Sequence, residues 1–281
     1  MITQIRLLSL TLLLTIILFA CKKSPDAVVP PVIQPPAAVK LSYGDSIFYL
    51  QNQASDYIVL PTQAQAGVYS GFPEGIEVDP LTGAINVSKS ETGLRYKISF
   101  KPAGATDSIT TIILISGINF MDGFYKLTSA DSIAKPVYNG NTANIVPGIN
   151  NGSNFDEGSG CNSAGCTVNV SNGIINLAQT VRNGVFGTKP ANNDRHEFVM
   201  NYRLNDKSNK NLNTLKIKLY YFETINDVTQ EAYDIISSRL GTVFKPATPG
   251  GIITPFLANM LNKPVGKVAK PRPPCIFILA R

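Results

Sequence analysis

Tryptophan is absent from this chain, and histidine occurs once, as His196. Only 16% of the residues are charged, so acid pairs and long basic runs are scarce. These shortages remove much of the usual catalytic equipment. Acid–base chemistry near neutral pH draws first on histidine. A Ser-His-Asp arrangement would need His196 paired with Asp194 or Glu197 and a distant serine, and no Gly-x-Ser-x-Gly elbow is present. The run Asp194-Arg195-His196-Glu197 reads instead as the polar entry to a strand. Sugar hydrolysis needs two carboxyl groups about 5–10 Å apart in a cleft, and no pair stands out. Cys161, Cys166, His196 and Cys275 are of the right types for zinc, but export would favour a disulfide over a metal site. The pattern therefore calls for no enzyme, no metal and no cofactor.

Basic residues exceed acidic ones, 25 against 19. Several lie towards the C-terminus (Lys263, Lys267, Lys270, Arg272, Arg281), which reads as a solvated tail. Nucleic acid is not an expected partner, because the first twenty residues look like an export signal. Leu7 to Ala20 is apolar apart from Ser9, Thr11 and Thr15, and it follows a short basic start at Arg6. The run is short for a permanent membrane span, which wants roughly 20 residues. It closes on Leu18-Phe19-Ala20-Cys21, which resembles the bacterial lipobox. That resemblance implies a signal peptide over 1–20 and lipidation of Cys21. Two or three acyl chains anchor a protein stably where one does not. Lys22, in place of the Asp that retains lipoproteins in the inner membrane, implies sorting to the outer membrane, on its periplasmic or its outer face. The membrane, reached through lipidated Cys21, is thus one expected partner.

Residues 21–39 form a tether. Pro25, Pro30, Pro31, Pro35 and Pro36 lie among Ala, Val and Gln, and an extended Pro-rich piece of this length reaches roughly 55 Å. Strand patterns begin near Lys40. Ser46–Leu50 and Tyr57–Leu60 are short β-forming runs, Tyr96, Ile98 and Phe100 alternate with polar residues, and Ile109–Ile115 reads as a central strand. Between them stands Phe72-Pro73-Glu74-Gly75-Ile76, followed by Val78, Asp79, Thr82, Gly83 and Ile85. This stretch resembles the repeat of bacterial Ig and cadherin-like (dystroglycan-type) domains, although Asn86-Val87-Ser88-Lys89 replaces the usual continuation. The resemblance covers about 80 residues and implies a β-sandwich over 40–121. It implies little about activity, since such domains serve as spacers, adhesion units and glycan-binding modules. Asp79 lacks the acidic company that a calcium site of six to eight oxygens requires.

A joint is expected at Asp122-Gly123, with a second β-rich domain over 122–281 whose motifs resemble no family. Asn139–Gly165 is dense in Asn and Gly and reads as a long surface loop. Cys161 and Cys166, bracketing a flexible four-residue turn, are a candidate disulfide, and Cys275 is left over. Val168–Leu177 reads as a tight hairpin around Ser171-Asn172-Gly173. Phe198, Met200, Tyr202 and Leu204, then Leu215, Ile217, Leu219 and Tyr221, mark a longer hairpin. One helix, capped at Asp227, carries Val228, Ala232, Ile235, Ile236 and Leu240 on one stripe and ends at Gly241. Cys275–Leu279 reads as a final core strand. Three Asp-Ser-Ile triplets, at Asp45, Asp107 and Asp131, resemble an O-glycosylation acceptor of exported proteins; turn residues entering a strand explain them equally well.

The expected fold class is mainly β: an N-terminal Ig-like sandwich followed by a second β-rich domain with one helix. The expected function is a non-enzymatic binding or adhesion module of the cell envelope. Its ligand would be a glycan or an envelope protein, met at the C-terminal loops and at tyrosines expected to be exposed, Tyr138 and Tyr220. The alternatives are a component of a polysaccharide-processing system and a structural envelope protein with a protein partner.

Overall fold

Alternation decides the strands. The computed structural model describes residues 40–128, 132–239 and 272–281. The signal peptide, Cys21, the tether, Asp131, Leu240, Gly241, Lys263, Lys267 and Lys270 lie outside the described residues. The first body contains β1 (Ile47–Phe48), β2 (Ile58–Val59), β3 (Gly67–Phe72), β4 (Ile85–Asn86), β5 (Leu94–Pro102) and β6 (Ile109–Ile115). Along β5 every second side chain is buried through Phe100, as period-two alternation on a half-covered sheet demands. The sheet runs β1-β6-β5-β3, with β1 parallel to β6 and the rest antiparallel. Its inner face (Phe48, Tyr69, Tyr96, Ile98, Phe100, Ile113, Ile115) packs with Ile85 and Val59 of the β2–β4 pair. This is the expected Ig-like sandwich.

The second body contains β7 (Ile118–Phe120), β8 (Gly123–Lys126), β9 (Ile133–Ala134), β10 (Pro136–Tyr138), β11 (Asn154–Phe155), β12 (Ile175–Asn176), β13 (Asp194–Arg203), β14 (Leu212–Phe222) and β15 (Cys275–Leu279). Its main sheet runs β11-β13-β14-β15-β8. The core changes between Ile115, which belongs to the first body, and Ile118, which belongs to the second. The described residues of Lys40–Arg281 nevertheless form one compact unit.

The second body repeats the first. The hairpin β5–β6 with edge strand β3 reappears as β13–β14 with β11, and the small pair β2–β4 reappears as β9–β12. Val59↔Ile85 and Ile58↔Asn86 become Ala134↔Ile175 and Ile133↔Asn176. The likeness extends to single hydrogen bonds. Asp79 carbonyl accepts Gly83 N–H at 2.9 Å, and Asn169 carbonyl accepts Gly173 N–H at 2.8 Å. Ser90 Oγ donates to Asn86 carbonyl at 2.6 Å, and Thr180 Oγ1 donates to Asn176 carbonyl at 2.8 Å. Gly83 and Gly173 have φ of +72° and +73°, and a Cβ on either would strike an aromatic ring, Tyr69 or Phe155, at 2.6 and 2.7 Å. Glycine is required at both places by conformation and by space.

Among the described residues, three α-helices accompany the strands. Two were not expected: α1 (Gly160–Ser163), held by Asp156, and α2 (Leu177–Arg182), capped by Asn176. They replace part of the expected Asn/Gly loop and the end of the expected hairpin. The expected one, α3 (Gln230–Arg239), covers the outer sheet face formed by Tyr220, Phe222, Cys275, Phe277 and Leu279, against which Val228, Ala232, Ile235 and Ile236 pack. Asp227 does not cap it. Thr224 and Asp227 instead close a capping box on a separate 3-10 turn, Ile225–Asp227, because Thr224 Oγ1 and its N–H both reach the Asp227 carboxylate.

Candidate functional site

The two repeats meet across a polar joint. At its centre stands Tyr202 of β13, wholly buried. Its hydroxyl lies 2.6 Å from Thr92 Oγ1 and accepts Ile118 N–H at 3.1 Å. Burial pushes this phenol up to about 12, so it stays neutral and can both give and take a hydrogen bond. A second group joins Tyr138 and Asp206. The tyrosine donates to Asp206 Oδ2 at 2.9 Å, while Ser208 N–H and Oγ satisfy Asp206 Oδ1 at 2.9 and 2.5 Å. Ser116 Oγ and Gly117 N–H both donate to Asn139 Oδ1, at 2.9 and 3.1 Å.

A third group is charged. Arg272, 2% exposed, directs its guanidinium onto the buried Asp122 carboxylate. Asp122 Oδ1 also accepts Cys275 N–H at 2.7 Å. Arg272 N–H donates to Glu91 Oε2 at 2.7 Å, and Asn119 Nδ2 donates to Glu91 Oε1 at 3.0 Å. Arg272 thus meets two acids: its guanidinium takes Asp122, between β7 and β8 of the second body, and its backbone N–H takes Glu91 of the first. Buried charges persist only when paired and hydrogen-bonded; the bonds to Glu91 join the two bodies, and the Asp122 pair is internal to the second.

No protein-family model and no curated protein matches the chain. Among solved structures it is similar to human protocadherin-24 EC1-2 in two crystal structures. Each has 10% identity and a TM-score of 0.22, over 64% of this chain and 95% or 94% of that one. It is also similar to Drosophila N-cadherin EC1-4, with 11% identity and a TM-score of 0.21, over 64% of this chain and 48% of that one. These are distant likenesses of shape, and the fold stands on the strand orders and registers above.

The structure relocates several residues singled out from sequence. Tyr138 and Tyr220 are not exposed: they are 9% and 2% accessible. Tyr138 is drawn inward by Asp206. Tyr220 does face away from the main core, as strand alternation requires, but α3 and β15 cover that face. Its ring lies 4.7 Å from that of Phe277, and the Arg195 guanidinium sits over it at 5.0 Å. Arg195 also forms a two-pronged pair with Glu231 of α3, at 3.0 and 3.1 Å, which holds the Glu231 carboxyl below its usual range. Arg272 is not part of a solvated tail, whereas Arg281 is exposed and pairs with Glu223.

Cys161, within α1, and Cys166, just after it, are neighbouring buried thiols. A hydrogen bond between the two thiols, together with burial, pushes Cys161 up. Cys275 is on the opposite face of the sheet, under α3, so the chain does not gather these three sulfurs. His196 stands edge-on to Phe186 at 5.3 Å, and its neighbour Glu197 pairs with Lys216. Asp79 braces its own turn, accepting Leu81 and Thr82 N–H at 2.9 and 2.8 Å. Ser46 and Ser108 of the Asp-Ser-Ile triplets are exposed.

The Asn-rich loop of the second repeat is braced. Ser153 Oγ donates to Pro147 carbonyl at 2.6 Å and accepts Asn205 N–H at 2.8 Å, and Asn150 N–H donates to Ser171 carbonyl at 3.0 Å. These bonds hold Ile145, Ile149 and Val170 at the surface, 84%, 36% and 52% exposed.

Proposed function

We propose that this chain is a non-enzymatic binding module of the cell envelope, anchored in the outer membrane through lipidated Cys21, whose ligand is a glycan. The observation that carries this reading is the joint. Tyr202 bonds Thr92, Arg272 N–H bonds Glu91 and Ser116 Oγ bonds Asp206, so these polar groups hold one Ig-like repeat against the other, while Asp122 is taken up by Arg272. A two-repeat unit with a cohesive joint, raised on a Pro-rich tether, presents a surface rather than a reaction centre. The braced loops bearing Ile145, Ile149 and Val170 are the surface assigned to the ligand.

The test uses the full chain with Cys21→Ser on a broad glycan array, with a check for product from every hit. Saturable binding without turnover, weakened at least ten-fold by Ile145→Asp with Val170→Asp, supports the reading. Turnover of any hit overturns it in favour of polysaccharide processing. No binding to any glycan overturns the ligand class and leaves a protein partner, which crosslinking in native membranes would then capture.

A further inference from the structure

The duplicated fold shows what the second sheet would look like without its last strand. In the first repeat β1 pairs directly with β6, in parallel, at Ile47↔Leu114 and Phe48↔Ile115. The corresponding strands of the second repeat are β8 and β14, and they do not touch. β15 lies between them, parallel to both, paired from Lys218↔Cys275 to Phe222↔Leu279 on one side and from Ile276↔Gly123 to Leu279↔Lys126 on the other. β8 therefore stands one strand further out than its counterpart, a step of about 4.8 Å.

Both arrangements satisfy the same rules. Cross-strand neighbours share a face. Phe124 pairs with Phe277, which pairs with Tyr220, and all three lie on the outer face. A direct β8–β14 pairing of Phe124 with Tyr220 would leave every side chain on the face it now occupies. Side-chain alternation is therefore the same for a sheet with β15 in place or without it.

We propose that β15 is an inserted bolt: its entry between β14 and β8 carries Arg272 into the joint, so that insertion of the C-terminal strand sets how firmly the two repeats are held. The connection is short and direct. Only Pro273 and Pro274 separate Arg272 from the strand, and Pro274 carbonyl already accepts Lys218 N–H from β14 at 2.9 Å. Asp122 is shared, taking the Arg272 guanidinium and the first amide of β15 together. Withdrawal of the strand removes from Asp122 both of these and removes Arg272 N–H from Glu91. The seat is also imperfect, since Arg272 Nε and Nη1 are buried with no hydrogen-bond partner among the described residues. Unmet buried donors disfavour the inserted state, and they make the bolt releasable without loss of the β13–β14 hairpin.

The test is hydrogen exchange on the full chain with Cys21→Ser, read at two places: the strand (Leu127, Ala280) and the joint (Ile118, Gly93). In Arg272→Gln, exchange at both places should quicken together by at least ten-fold while Phe198 and Ile217 of the hairpin keep their protection. Quickening at one place alone, or uniform quickening at every amide, overturns the proposal. A stabilising variant avoids any loss of fold. Lys218→Cys faces Cys275 across one strand spacing, within the range that a disulfide spans. Oxidised, it should slow exchange at strand and joint alike, and reduction should reverse both. Slowing of the strand with the joint unchanged would also overturn the coupling.

Discussion

Tyr202→Phe is the sharpest test of the joint, because it deletes one oxygen and leaves the ring in the core. That oxygen serves Thr92 Oγ1 of the first body at 2.6 Å and Ile118 N–H, where the second body begins, at 3.1 Å. Without it, Ile118 N–H remains buried and loses its acceptor, which costs about 1–3 kcal/mol. Thr92, 3% exposed, loses its partner at the same time, and the expected total is about 2–3 kcal/mol. The assay is urea unfolding followed by far-UV dichroism and by tyrosine fluorescence, the latter usable because no tryptophan obscures it. Wild type should give coincident transitions, since the repeats unfold as one cooperative unit. Thr92→Val should cost less, and the double variant should cost less than the two singles summed, with a coupling of about 1 kcal/mol. A loss below about 0.5 kcal/mol for Tyr202→Phe, or two separated transitions in wild type, would refute the claim that this bond couples the bodies.

Three further outcomes follow from particular contacts. Asn86 and Asn176 occupy equivalent caps, accepting Lys89 and Gln179 N–H at 3.1 and 2.9 Å, so alanine at either should cost about 1 kcal/mol. A large inequality between the two in urea unfolding would count against equivalence. The turn at Asp79 should respond to acid and its counterpart at Asn169 should not. The Leu81 and Thr82 amides hold the Asp79 carboxyl below its ordinary value. The bracing is therefore fully present above the unfolded value of about 3.9 and is lost as pH falls through the lower folded value. Amide shifts of Leu81 and Thr82 should titrate in that acid window while Ser171, bonded to Asn169 Oδ1 at 3.0 Å, stays put. Finally, we propose that Cys161 and Cys166 are joined by a disulfide after export, forming one S–S bond and passing two electrons and two protons to an oxidising thiol–disulfide partner. Intact mass should be lower by two hydrogens with neither thiol alkylated, and reduction should cost about 2 kcal/mol on the loop-entropy account. Two alkylatable thiols in the exported protein would refute this.

Local chemistry was legible in the sequence, and long-range cover was not. The alternation of Tyr96, Ile98 and Phe100 placed β5 with its buried face correct, and Asp79 to Gly83 announced a turn, because both depend on residues within a few positions of one another. Tyr220 shows the limit. Its phase on β14 does point it away from the main core, yet that face is covered by residues 230–239 and 275–279, which nothing near Tyr220 declares. The duplication was also present and unread. Val78, Gly83, Ile85 and Asn86 recur 90 positions on as Val168, Gly173, Ile175 and Asn176. At the same offset Asp79 becomes Asn169 and Ser90 becomes Thr180, substitutions that keep the hydrogen bond and break the letter match.

Arg272 was the most misleading residue, because a basic side chain near a chain end ordinarily marks solvent. Two local facts pointed the other way. It precedes five residues, Cys275 to Leu279, with no polar member, which in a sheet requires cover on both faces. Two prolines join it rigidly to that strand, so a strand buried on both faces carries its neighbour inward. A guanidinium taken inward must find a carboxylate, and the chain supplies Asp122 between β7 and β8, while Glu91 of the first repeat takes the Arg272 N–H. Apolar strand, rigid connection and buried acid form one causal sequence, and it ends at the contact between the repeats.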